Sequence, residues 1–247
     1  MTGKIYVVGL GPGGPDQITP RGEAALAASD VLVGYTVYID LIRDRWPGKE
    51  LVATPMTTEA QRCRLCLERA LAGQTAAMVC GGDPGVYGMA GLIFQVCRDH
   101  PEVEIQVIPG VTAATAGAAL LGAPLTHDFA VISLSDALTP WETNEKRLLA
   151  AAEGDFALCL YNPASRRRPD TLARAAALLL ERLPGDRVCG LARMVGREGE
   201  SWQLCTLREL LEREADMFTT VFIGSSRTLV LNGRMVTPRG YEKRGKL

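Results

Sequence analysis

The sequence predicts an α/β protein organised as two domains. Short apolar runs alternate with longer runs of helical spacing, and glycine- and proline-rich loops punctuate them. Such alternation implies a parallel sheet. The alternation is broken once, by the alanine- and glycine-rich stretch after Pro109. The boundary is therefore expected there, giving residues 1–111 as an N-terminal α/β domain and 112–247 as a C-terminal α/β domain. A chain of 247 residues is long enough for two such halves. Two halves imply a cleft, a common place for ligands.

In order, Ile5–Val8 reads as a buried strand, and Gly9-Leu10-Gly11-Pro12-Gly13-Gly14 follows it. The stretch matches the dinucleotide pattern G-x-G-x-x-G. However, Pro15-Asp16-Gln17 separate it from the helix, which is expected to start at Thr19 with Pro20 in the first position. The second strand, Val31-Leu32-Val33, also ends in Gly34-Tyr35 without an acid. Helices are expected over 21–29, 35–44, 59–72 (closed by Gly73) and 89–99, with strands at 51–53, 75–79 and 104–108. In the second half, strands are expected at 130–133, 156–161, 188–192 and 220–223, and helices at 142–152, 170–183 and 207–213.

The loop Cys80–Gly88 follows a strand and precedes a helix, and it holds four glycines, Pro84 and one carboxylate, Asp83. Loops at the carboxyl ends of strands bind ligands in open α/β sheets, and glycine lets the backbone come close to them. Its plainer reading is a tight turn needed only for packing. Other polar groups fall in similar places: His127-Asp128 before a strand, and Ser133-Leu134-Ser135-Asp136 with Thr139 after it. Arg166-Arg167-Arg168 follow Tyr161-Asn162-Pro163. An arginine run is usually a solvated face, but the guanidinium fork also grips carboxylates. No G-x-S-x-G elbow, Walker A lysine or H-E-x-x-H occurs, which suits chemistry carried by a cofactor.

Composition narrows the partners. The chain is 47% hydrophobic and 22% charged with a net charge of −1, which argues against a general nucleic-acid binder. Seven scattered cysteines suit a reducing compartment, and a cytoplasmic location is expected. No signal peptide is evident, and Val107–Thr126 is too rich in small residues and proline to span a bilayer. Cys63-x-x-Cys66 lacks a second pair, so structural cysteines and no metal are expected.

Taken together, Val8–Gly13, Gly81-Gly82-Asp83-Pro84 and Pro109–Ala113 resemble the tetrapyrrole methylases. The stretches Gly34–Tyr38, Val86–Gly91, Leu125–Phe129, Ser133–Asp136 with Thr139-Pro140-Trp141, Tyr161–Arg166 and Thr237–Tyr241 are similar to the precorrin-3B C(17)-methyltransferase branch, which includes the cobalt-factor III enzymes. The resemblance implies a mainly parallel N-terminal sheet, a mixed C-terminal sheet, a homodimer and S-adenosylmethionine as methyl donor, with S-adenosylhomocysteine as product. It implies donor contacts from Pro12, Gly81, Gly82, Asp83, Val86, Thr112, Ala113, Asn162, Val195 and Pro238, and an approach of Gly11 to the tetrapyrrole. Asn162 departs from the methionine common at that position in related methylases.

The implied substrate is a tetrapyrrole, with or without cobalt, whose carboxylates make Arg166, Arg167, Arg168, Arg193 and Arg239 candidate clamps. Ring contraction coupled to methylation requires proton movement, for which His127, Asp128, Ser135, Asp136 and Thr139 are the candidates. The alternatives are another tetrapyrrole methylase, a noncatalytic nucleotide-sensing module of the same fold, and a nicotinamide dehydrogenase.

Overall fold

A computed structural model describes residues 2–241. The chain divides into two compact units, Met1–Thr112 and Ala113–Leu247.

The first unit is built on five strands: β1 (Lys4–Gly9), β2 (Val31–Tyr35), β3 (Glu50–Thr54), β4 (Thr75–Cys80) and β5 (Glu104–Ile108). All are parallel, in the order β3-β2-β4-β1-β5. Four helices cover the sheet: α1 (Pro20–Ala28), α2 (Thr36–Asp40), α3 (Glu59–Leu71) and α4 (Ala90–Val96). Helix α1 starts where its sequence signals lie, with Pro20 in the first turn and Thr19 Oγ1 accepting from Gly22 N at 3.0 Å. Gly73, just past α3, has φ +88°, as a helix-closing glycine requires.

Alternation along the strands divides their side chains between two cores. Val8, Leu32 and Val79 pack with α1 and α2, whereas Val7, Val33 and Met78 pack with α3 and α4. The neighbouring strands β1 and β4 thus send their following helices to opposite faces. That is a topological switch point, where the carboxyl edge of a sheet opens into a crevice.

The second unit begins with α5 (Ala113–Leu121) and the short β6 (Gly122–Ala123). Its main sheet contains β7 (Phe129–Ser133), β8 (Ala157–Tyr161), β9 (Val188–Arg193), β10 (Ser201–Thr206) and β11 (Thr219–Ile223). The order is β10-β9-β11-β8-β7, with β7 and β8 parallel and the other pairs antiparallel. Helices α6 (Trp141–Glu153) and α7 (Thr171–Leu180) pack on one face, and α5 packs on the other. A Cβ on Gly117 would lie 3.0 Å from the Phe222 ring and 3.1 Å from Ala192 Cβ, so the small residues of α5 let it sit low on the sheet. A hairpin of β12 (Leu229–Leu231) and β13 (Arg234–Val236) pairs with β6 in a separate three-stranded sheet. Strands β7, β8 and β9 all end at one edge of the main sheet, where β10 and β11 begin.

The mainly parallel first sheet and mixed second sheet are therefore present. Several boundaries differ from expectation. The helix expected over 35–44 is only α2, followed by a 3-10 turn at Arg43–Arg45, because β2 runs on through Gly34 to Tyr35. A Cβ on Gly34 would stand 3.1 Å from the Ile39 side chain, so the glycine belongs to packing rather than to a turn. The helix expected over 207–213 is a 3-10 turn, Glu209–Leu211. Helix α5 carries no polar stripe to mark its period, and β10 is an edge strand whose first three residues are exposed, so neither stood out.

All seven cysteines are buried and unbridged. Cys63, Cys66, Cys80 and Cys97 share the core under α3 and α4. Burial pushes the Cys63 and Cys80 thiols up to about 12 and Cys205 up to about 11. Thiolate is the reactive form, so these groups are inert at neutral pH. Among the described residues, no helix is long and apolar enough to cross a membrane. Ellman titration of the native protein at pH 7 is expected to show negligible fast-reacting thiol, and denaturation should release all seven. Rapid native labelling of even one would contradict this packing.

Candidate cofactor and substrate sites

At the carboxyl edge of the first sheet, three loops meet through bare backbone. Leu10 N donates to Cys80 O at 2.8 Å, and Gly11 and Gly82 exchange two backbone hydrogen bonds at 3.2 and 2.7 Å. Gly11 and Gly82 have φ of +76° and +68°, left-handed values that favour glycine. The Gly82 carbonyl lies between the other two loops. A Cβ on Gly9 would be 2.6 Å from it, and one on Gly110 only 2.3 Å.

Asp83 fastens this junction. Its Oδ1 accepts from Gly85 N at 2.7 Å and its Oδ2 from Gly110 N at 3.0 Å. The carboxylate thus ties the loop after β4 to the loop after β5. Gly81 lies under Tyr38: a Cβ there would be 2.4 Å from the ring. Pro12 is buried, and Val86 and Thr112 are half-buried. Sequence reasoning did not single out Tyr38 as a site residue. The signal was the bare Gly81, which leaves room for an aromatic ring from another element.

At the corresponding edge of the second sheet, Asn162 follows β8 with φ +54°, a conformation asparagine tolerates better than most non-glycine residues. Its Nδ2 donates to Ser133 Oγ at 2.9 Å, and the same oxygen accepts from Ser135 N at 3.2 Å. Ala114 N, at the start of α5, donates to the Tyr161 hydroxyl at 2.8 Å. Asp136 pairs with Arg168 at 3.1 Å, so a candidate acid and a candidate clamp hold each other. Backbone bonds between Ser165 and Arg168 close a tight turn, with Arg166 and Arg167 exposed on it. Thr139 is half-buried in the loop after β7. Val195 is only 7% exposed and belongs to the core beneath α5.

The five proton-transfer candidates do not come together. Ser135, Asp136 and Thr139 follow β7, whereas His127 and Asp128 precede it. A strand of five residues, about 17 Å of chain, separates the two groups. Asp128 N donates to His127 Nδ1 at 2.8 Å, and Asp128 Oδ2 is 3.0 Å from the same nitrogen. Pro238 and Arg239 belong on the His127 side of β7. Thr237 N donates to Ala123 O at 3.0 Å, Thr126 Oγ1 donates to Thr237 O, and Arg239 Nη1 reaches Thr126 O at 3.4 Å.

Arg193 is committed elsewhere: its Nε and Nη2 meet Asp216 Oδ2 at 2.9 and 2.8 Å. Burial opposes the Asp216 charge. Hydrogen bonds from Thr219, Arg193 and Phe218 N outweigh that effect and hold the carboxyl below its ordinary 3.8.

This arrangement of two α/β units with glycine-lined strand ends has clear relatives. The pattern of the tetrapyrrole (corrin/porphyrin) methylases matches residues 4–211, and the chain belongs to that family. It is 44% identical over 238 residues to the probable cobalt-factor III C(17)-methyltransferase of Salmonella typhimurium, covering 96% of this chain and 99% of that one. It is 43% identical over 250 residues to the precorrin-3B C(17)-methyltransferase of Sinorhizobium sp, covering 98% of each. The crystal structure of the methyltransferase CobJ matches with a TM-score of 0.89 and 40% identity, covering 96% of this chain and 100% of that one. Other relatives are longer: the chain spans 46% of the length of one that is 41% identical to it.

Two outcomes test this geometry. Gly110→Ala forces a Cβ onto the Gly82 carbonyl. It is expected to cost about 3 kcal/mol in urea unfolding, the scale of overpacking a site that cannot give. Gly48→Ala meets nothing within 4 Å and should stay within about 0.5 kcal/mol of the parent protein.

The second outcome concerns pH. Because the folded-state pKa of Asp216 is depressed, its stabilisation is fully present above 3.8 and is lost as pH falls through the folded value. Asp216→Asn should therefore be less stable than the parent at pH 7, with the gap closing below pH 3.8. A gap that persists in acid would place the effect elsewhere.

Proposed function

We propose that this chain is a methyltransferase of corrin-ring biosynthesis. It transfers a methyl group from S-adenosylmethionine to C(17) of precorrin-3B or of cobalt-factor III, with coupled contraction of the macrocycle, and works as a cytoplasmic homodimer. The observation that carries the reading is near-full-length identity of 43–44% to proteins named for that reaction on each substrate. The buried, unbridged thiols suit a reducing cytoplasm, and the homodimer rests on the family resemblance.

The residues fit the donor. In the first unit, Pro12, Gly81 and Val86 offer a closely approachable, mainly apolar surface beside a glycine junction with no room for side chains, whose Gly82 peptide groups are held by Gly11. In the second unit, Ala113 and Asn162 add a helix start and an amide. When bound, the sulfonium supplies an activated methyl group, so the protein's task is alignment rather than nucleophilic attack. Asp83 serves this indirectly. Its carboxylate holds Gly85 and Gly110 in place, which makes it a positioning residue for the loops that meet the donor.

For the proton transfer that contraction requires, the group after β7 is the better candidate. Ser135 shares the Ser133 hydroxyl with Asn162 and is thereby coupled to the donor-side edge. Asp136 follows it and is oriented by Arg168. His127 and Asp128 stand at the other end of the strand, on the side of Arg239. Their role is proposed as contact with the substrate rim. Asp128 N donates to His127 Nδ1 and Asp128 Oδ2 lies 3.0 Å from the same nitrogen, so the two residues hold each other at that rim.

Incubation with S-adenosylmethionine and each tetrapyrrole, followed by mass spectrometry and absorption, should show gain of one methyl group and a changed chromophore with at least one substrate. No methyl gain with either would sink the reading. Asp136→Ala is expected to lower kcat for the contracted product by about 10²-fold or more, the usual effect of removing a general acid or base. His127→Ala should act mainly on KM. The reverse pattern would move the acid–base role to His127.

A further inference from the structure

We propose that the loop joining β7 to α6, residues 133–140, is a preformed platform for the apolar face of the macrocycle, with Leu138 as its contact residue. This rests on the corrin-pathway reading above and assigns to that reaction a specificity-determining residue.

The base of the loop is held from several directions. Leu134 N donates to Tyr161 O at 2.9 Å. Ser133 Oγ takes hydrogen bonds from Asn162 Nδ2 at 2.9 Å and Ser135 N at 3.2 Å. The fully buried Asn144, on α6, donates to Ser135 O at 3.3 Å. Asp136 is anchored by Arg168 at 3.1 Å, and Ala137 N turns back to Ser135 Oγ at 3.4 Å. On the far side, the buried Trp141 locks the start of α6 and donates to Glu145.

Leu138, at the tip of this pinned loop, is 99% exposed, whereas the next most exposed large hydrophobic among the described residues, Tyr241, is at 58%. A single exposed leucine is ordinary on a protein surface. Here, however, the surrounding backbone is restrained, so the side chain is presented outward with much of the ordering cost of binding already met. The loop also stands at the strand edge that carries Asn162, and its Asp136 is bridged to the turn bearing the exposed Arg166 and Arg167. An apolar tip on a loop bridged to an arginine-bearing turn complements a flat ligand with apolar faces and a rim of carboxylates. A tetrapyrrole of the precorrin class has that form.

The test uses the whole chain and compares Leu138→Asp, Leu138→Ala and Leu138→Met, with Leu229→Asp as a control on the exposed strand β12 of the separate three-stranded sheet. Tetrapyrrole Kd is read by absorbance titration, S-adenosylmethionine Kd by calorimetry, and KM and kcat by methyl transfer. Leu138→Asp should raise the tetrapyrrole Kd and KM by about 10-fold or more, as loss of a central apolar contact does. Leu138→Ala should raise them less, and Leu138→Met should restore the parent values. The methyl-donor Kd, and all values for Leu229→Asp, should be unchanged. A tetrapyrrole Kd within twofold of the parent for both Leu138→Asp and Leu138→Ala, in an enzyme that turns over normally, overturns the platform alone. A parent protein that binds no tetrapyrrole overturns both the platform and the function on which it rests.

Discussion

The geometry of the first unit depends on one carbonyl oxygen. That of Gly82 occupies space that side chains on Gly9 or Gly110 would need, so three loops from three strands meet backbone to backbone. Parallel strands deliver their loops to the same edge, but they do not by themselves bring those loops into contact. The Gly11–Gly82 bridge and the two bonds accepted by Asp83 do that. The result is a surface of peptide groups with fixed directions. Backbone donors and acceptors held in this way can recognise a small polar ligand with little reorganisation.

The second unit uses side chains where the first uses glycine. Its carboxyl edge is organised around the Ser133 hydroxyl, which joins β7 to the residue following β8. The left-handed backbone at Asn162 explains why a short polar residue is comfortable there despite the departure from the usual methionine. Asp136 and Arg168 neutralise each other and join two neighbouring loops. The shape of this edge therefore depends on how the loops are tied together as well as on which residues they display.

Much of the fold was legible because its signals are local. Thr19-Pro20 and Gly73 marked helix ends through capping chemistry, and the apolar runs marked central strands. The glycine-rich loops were legible as places where backbones come close together, because missing side chains and left-handed φ are what glycine supplies. Pairings between distant residues were not legible. Nothing in the spacing of Asp136 and Arg168, or of Arg193 and Asp216, marks them as partners, since each pair forms only when separate loops meet at a strand end. His127 and Asp136 look close in sequence, yet an extended strand carries them apart. Gly81 looked like a contact for a ligand; in the fold it is the floor for the Tyr38 ring, a role set by an element more than forty residues upstream.

The position of β1 bears on how the chain acquires its structure. The first of the five strands in chain order is not an edge but lies between β4 and β5. Its partners, Thr75–Cys80 and Glu104–Ile108, are synthesised much later. Until they emerge, β1 has no lateral hydrogen-bonding neighbour in its sheet, and closing the intervening loops carries an entropic cost. Sheets dominated by such long-range pairings fold slowly. By the same logic the glycine junction cannot form until its third loop, which follows β5, has been made. The part of the first unit proposed to meet the methyl donor therefore depends on the strand of its sheet that is made last.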